Sequence, residues 1–188
     1  MIIENNTTNE IIINKSRFIT YLYKINNKEE IINYLNNLKT QYKDATHICY
    51  AYILNNEIKC FDDSEPNGTA GLPILEVLKK NNLNYIVCFV IRYFGGIKLG
   101  SGGLIRAYSN SCSNALKLTK IIPLEHLYKI QVTTSYKDIR LLESLISNEN
   151  ILTKDFSNDI TYLLLVNEKL LNILKNNNFK YQIIETKY

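Results

Sequence analysis

Tyr85–Ser111 reads YIVCFVIRYFGGIKLGSGGLIRAYSNS, and its reading sets the plan of the chain. The first half is a nearly unbroken apolar run, so Tyr85–Phe94 is expected to be a buried strand. Five glycines then fall between Gly95 and Gly103, with Lys98 among them and Arg92 and Arg106 on either side. Leu104, Ile105, Tyr108, Cys112, Ala115 and Leu116 follow as the apolar side of a helix expected over Gly102–Lys120. A glycine-rich helix start leaves backbone N–H groups free at the positive end of the helix dipole, which suits an anion. Three uses fit: a phosphate cradle, a nucleic-acid contact, or a tight strand-to-helix turn. Gly95–Ser101 imitates G-x-x-x-x-G-K-[ST] but lacks the lysine after its last glycine, and G-x-G-x-x-G is absent.

Charge gathers around the same stretch. The 188-residue chain carries a net charge of +4. Residues 66–124 hold seven basic side chains against one acid, Glu76. Clustered positive charge points to an anionic partner, or else to scattered solvated side chains. Just before it stands Asp62-Asp63-Ser64-Glu65. Three carboxylates in four residues can hold a metal or do acid/base work, or can pair with Arg92, Arg106 or Lys98. The pairing reading is preferred, because basic residues abound nearby and no nucleophile is evident. Arg92 is the cation expected to serve these acids, with Lys98 and Arg106 left available. Tyr50, Tyr52, Tyr93, Phe94 and Tyr108 supply aromatic rings that can stack on bases or fill the core.

Further out, the pattern is regular. Glu10–Ile25 reads as a strand pair broken near Asn14–Ser16. Lys28–Tyr42 reads as an amphipathic helix on Ile31, Ile32, Leu35 and Leu38. His47–Leu54 and Glu57–Phe61 read as a hairpin across Asn55-Asn56. Ile74–Lys80 reads as a short helix capped near Thr69. Pro123 marks a boundary. After it come a strand (127–134), a helix (137–147), two strands (152–157 and 161–166), a helix (168–176) and a strand (179–186). That βαββαβ order is the ferredoxin-like arrangement. The fold class is therefore α+β, with domains 1–123 and 124–188.

The remaining features are spare. No basic n-region precedes an apolar h-region, and no apolar run could span a bilayer, so the chain reads as cytoplasmic, with no membrane partner. Cys49, Cys60, Cys88 and Cys112 form no C-x-x-C pair, and His47-Ile-Cys49 lacks a second knuckle. Reduced, mostly buried thiols are expected, with no metal and no cofactor. His47 is expected to be packed or hydrogen-bonded.

The blocks D-D-x-E-P, G-T-A-G-x-P-I-L, R-Y-F-G-G-I-x-L-G and G-G-L-x-R-A-Y stand in order between Asp62 and Tyr108. Together they resemble the signature of the IMPACT/YigZ family. K-S-R-F near the start, A-T-H-I-C-Y-A-Y and the βαββαβ tail extend the resemblance over almost the whole chain. Asn67 and Ser109–Ser111 depart from it toward more polar residues. The resemblance implies an N-terminal α/β domain similar to domain IV of elongation factor G and to ribosomal-protein-like folds. It implies a C-terminal ferredoxin-like domain similar to domain V, as in the bacterial members. Eukaryotic relatives regulate translation by competing for the ribosome-associated activator of a stress kinase.

The expectation is thus a non-enzymatic binding or regulatory protein linked to translation. RNA, the ribosome or a translation-associated protein would be its partner. The candidate anion-binding set is Arg92, Lys98, Arg106, Gly95, Gly96, Gly102, Gly103 and Tyr108. The alternative is an enzyme acting on a small phosphorylated or nucleotide substrate, with Asp62, Asp63 and Glu65 as a metal loop.

Overall fold

The computed structural model describes residues 1–55, 57–156 and 160–187. Asn56 of the expected hairpin turn and Ser157 at the end of the expected strand 152–157 lie outside the described residues. The protein is mixed α and β, and the chain divides into two compact units, Met1–Pro123 and Leu124–Tyr188.

The first unit runs β1 (Ile2–Ile3), β2 (Thr7–Ile13), β3 (Ser16–Lys24), α1 (Lys28–Gln41), β4 (His47–Leu54), β5 (Glu57–Phe61), α2 (Gly71–Lys80), β6 (Ile86–Tyr93), α3 (Gly100–Leu116) and β7 (Ile121–Ile122). Five of these strands form one antiparallel sheet in the order β2-β3-β6-β4-β5. β6 lies at its centre with Ile86 to Arg92 all buried. Successive side chains on a strand point to opposite faces, so a central strand covered on both sides shows no polar alternation. Ile86, Cys88 and Val90 join the core that includes Leu78 of α2 and Leu104 of α3. Val87, Phe89 and Ile91 join the core that includes Ile31 and Leu38 of α1. The same period carries Arg92 onto the α2/α3 face. On β4 it puts His47 in the row of Cys49, Ala51 and Ile53, and the register sets His47 opposite Arg92.

Several expected boundaries shift for local reasons. α2 begins at Gly71, three residues before the expected start, and Thr69 does not cap it. The Asp62 carboxylate instead accepts the N–H groups of Gly68, Ala70 and Gly71 at 2.8–3.0 Å. Pro73 is accommodated within the first turn, where its missing N–H would have no partner anyway. α3 begins two residues early, at Gly100, and ends at Leu116. Ile105 and Ile32, expected on apolar helix faces, are exposed. The pairing of β1 with β7 was not expected, since two-residue strands carry no periodicity to read.

The second unit runs β8 (Leu127–Thr134), α4 (Ile139–Leu145), a 3₁₀ turn at Asn148–Asn150, β9 (Ile151–Phe156), β10 (Ile160–Asn167), α5 (Glu168–Asn176) and β11 (Tyr181–Lys187). Its antiparallel sheet has the order β11-β8-β10-β9. Ile130, Val132, Tyr162 and Leu164 of the sheet meet Leu142 of α4 and Leu174 of α5 in a separate core.

Candidate functional site

The end of the first sheet and the start of α3 border an open cavity of about 410 Å³. Thr46, His47, Glu65, Pro66, Arg92 and Phe94 line it from the sheet and the acidic loop. Lys98, Leu99, Gly100, Ser101 and Leu104 line it from the glycine loop and α3.

Its floor is an ion pair. Arg92 Nη1 donates to Glu65 Oε1 at 2.6 Å, with side-chain exposures of only 6% and 3%. The Tyr108 hydroxyl donates to the same oxygen at 2.8 Å, and His47 Nε2 stands 3.9 Å from it. Arg92 also reaches Ser16 Oγ at 3.5 Å and lies within 5.6 Å of the ring centres of Phe18 and Phe94. A buried charge needs such a partner, because desolvation alone is prohibitive. The Cys49 thiol lies 3.4 Å from the Tyr108 hydroxyl and 3.0 Å from the Asp62 carbonyl oxygen. Burial pushes that thiol up to about 12. Burial above all, with Cys49 and Glu65 beside it, lifts the Tyr108 phenol far above its ordinary range.

The acidic loop is therefore divided among separate tasks. Asp62 holds the start of α2, Asp63 Oδ2 accepts the Ile48 N–H at 3.0 Å, and Glu65 neutralises Arg92. The three carboxylates do not converge, and among the described residues no group of three or more His, Cys, Asp or Glu side chains is placed to hold a metal. All four thiols are free.

The glycine-loop residues also separate by task. Tyr108, a candidate for base contact, is completely buried, its ring edge-on to Phe18 at 5.4 Å. Gly95 packs against the β2–β3 turn, where an added Cβ would lie 2.0 Å from the Lys15 carbonyl carbon. Gly103 is closed off by the Leu99 side chain, at 2.9 Å from an added Cβ. Gly96 has φ +82° and open space around it, and Gly102 has only Arg106 Nη1 near, at 3.8 Å. Lys98 and Arg106 are exposed and make no ion pair among the described residues. The first turn of α3 holds no acid and has no side-chain cap.

Thr46 and Ser16 are parts of this site that sequence reasoning did not single out, whereas Phe94 stood among the aromatics that could stack on bases. Thr46 Oγ1 accepts the Phe94 N–H at 2.9 Å, and Ser16 Oγ accepts the Gly95 N–H at 3.2 Å. Both fix the exit of β6. His47 could have been placed by counting back in twos from Cys49 and Ala51, but only the strand register puts it opposite Arg92.

Residues 14–116, more than half of the chain, match the Impact N-terminal domain. The chain is 39% identical to the IMPACT family member YvyE of Bacillus subtilis, over 87% of this chain and 77% of that protein. It is 37% identical to an IMPACT family member of Haemophilus influenzae, over 85% of this chain and 81% of the relative. Identity to the IMPACT family member YigZ of Escherichia coli is 32%, over 71% and 68%. A crystal structure of a hypothetical protein superposes with a TM-score of 0.67 at 26% identity, over 98% of this chain and 96% of that one. No helix among the described residues is long and apolar enough to cross a membrane. The match to the Impact N-terminal domain over more than half of the chain, with 37–39% identity to relatives covered over 77–81% of their length, places this chain in the IMPACT family.

Proposed function

We propose that the protein is a non-enzymatic binding protein acting in translation in the cytoplasm, and that it contacts RNA or a ribosomal surface through the start of α3. The observation that carries this reading is the split among the cations. Arg92 is consumed by Glu65, whereas Lys98 and Arg106 stand exposed and unpaired beside an acid-free helix N-terminus. Unpaired cations at the positive end of a helix favour phosphate. Membership of the IMPACT family supports the link to translation, through the regulatory role of its eukaryotic relatives. In this reading the second unit is a ferredoxin-like domain similar to domain V of elongation factor G. Its βαββαβ order and antiparallel sheet support that assignment. The first unit is then the counterpart of domain IV.

The test is binding of the full-length protein to RNA and to ribosomes across a salt series. Each phosphate contact contributes about 0.7 to the slope of log K against log salt for single strands. Lys98→Ala and Arg106→Ala should each lower the slope by about that amount. Absence of any salt-sensitive binding at low ionic strength would remove the proposal.

A further inference from the structure

We infer that the cavity beside α3 is a nucleotide pocket, which receives one unstacked base of a single-stranded RNA while that nucleotide's phosphate sits over the first turn of α3 and Lys98. The inference rests on the RNA-contacting reading above and gives it a specific site.

The volume of about 410 Å³ suits a small planar ligand, and the lining is mixed in the right way. Phe94 is 46% exposed on the cavity wall, although a phenylalanine at the end of a buried strand has every reason to be covered. The Arg92 guanidinium lies 5.5 Å from the centre of that ring. An open aromatic face backed by a guanidinium is a stacking platform for a base. Pro66, Leu99 and Leu104 supply further apolar wall.

The floor is polar. Arg92 Nε and His47 Nδ1 are both buried without a hydrogen-bond partner, and the Arg92 side chain is 6% exposed. Orphaned buried polar atoms are rare and costly, and these two belong to residues that line the cavity. Among the described residues the contacts to Glu65 all fall on Oε1. Polar side chains of Thr46, His47, Glu65 and Ser101 line the cavity beside its apolar wall, a mixture that suits a nucleobase better than a hydrocarbon chain.

The mouth supplies the anion site. Gly100 and Ser101 open a 17-residue helix whose first turn has neither an acid nor a side-chain cap. Both residues line the cavity with Lys98, so a phosphate there lies next to the base site. A duplex keeps its bases stacked and cannot fill this pocket, whereas a single strand can.

The experiment uses the full-length protein and fluorescence anisotropy with labelled 12-nucleotide single-stranded RNAs and a duplex of the same sequence. Wild type should prefer the single strand by about tenfold or more. Phe94→Ala, at a half-exposed position, should weaken single-strand binding about tenfold and leave duplex binding within about twofold. Ser101→Asp should weaken single-strand binding while raising the thermal midpoint, because its carboxylate occupies the helix terminus. A loss of fold cannot produce that pair of effects. If Phe94→Ala binds single strands like wild type while Arg106→Ala binds them less tightly, the pocket is overturned and the surface reading survives. Equal or tighter binding of duplex also overturns the pocket. If neither RNA binds, both proposals fail.

Discussion

Arg92 and Glu65, 27 positions apart, form an ion pair of 2.6 Å with both side chains almost fully out of water. Such a pair adds little net stability compared with a well-packed apolar replacement, yet breaking it is expensive. Arg92→Met should strand a buried carboxylate and cost about 3–5 kcal/mol. Adding Glu65→Gln should recover much of that loss, because the second change removes the stranded charge. Denaturant midpoints of the two single variants and the double variant check this. Additive losses would show that the two side chains do not act as a unit.

Asp62 ties the acidic loop to α2 by accepting three backbone N–H groups. Asp62→Ala leaves those donors without their acceptor at a partly buried site. The loss should be about 2 kcal/mol, at the upper end for a helix cap. Asp62→Asn, which keeps one acceptor oxygen, should cost less. Thermal melts of the two variants give the order.

The thiols should be quiet in the folded protein. Burial pushes Cys49 up to about 12, Cys88 well above its ordinary range and Cys60 upward. Cys49, Cys88 and Cys112 are also buried, and only Cys60 is partly accessible. Alkylation at about pH 8 should modify at most one thiol in native protein and four in denaturant, counted by intact mass. Rapid modification of two or more in native protein would contradict the packing around Cys49 and Tyr108.

Acid should weaken the first unit partly through Glu57. Hydrogen bonds from Lys28 first and Tyr52 second hold its carboxyl down at about 2, against an ordinary 4.5. The folded state thus prefers the ionised form. The stabilisation is present above pH 4.5 and is lost as pH falls through about 2. Glu57→Gln should flatten the decline in stability over that window. Urea midpoints at several pH values between about 6 and 2 measure the difference.

The legible parts of the molecule were those with a period. β6 announces itself as an apolar run, and β4, β5, β8 and α5 have the bounds that their spacing predicts. The second unit's element order follows from the same rule. What stayed hidden depends on contacts across the sequence. Thr69 looked like a helix cap because it is near, whereas the working cap, Asp62, reaches back across eight or nine residues. Tyr108 reads in sequence both as part of the apolar side of α3 and as a member of the anion-binding set, and helical geometry turns it onto Phe18 and Glu65, which leaves only the first. The cavity at the head of α3 needs the register of β3, β4 and β6 together, and no local window contains that.

The five glycines of the loop look alike in sequence but should respond oppositely to alanine. At Gly95 an added Cβ would lie 2.0 Å from the Lys15 carbonyl carbon and 2.4 Å from the Ser16 nitrogen, both backbone atoms of the turn that begins β3. Backbone cannot swing aside as a side chain can, so Gly95→Ala should cost about 3 kcal/mol or more and loosen that turn. At Gly96 the space is open but φ is +82°, so the penalty should be the smaller one of a left-handed alanine, about 1–2 kcal/mol. At Gly102 the neighbouring atom is Arg106 Nη1 at 3.8 Å, the far end of a flexible side chain, and the residue sits inside the first turn of α3. Gly102→Ala should therefore stabilise the protein by about 0.5–1 kcal/mol. Thermal midpoints of the three variants should rank Gly102→Ala above wild type, then Gly96→Ala, then Gly95→Ala. A destabilised Gly102→Ala would mean that something other than Arg106 needs this position bare.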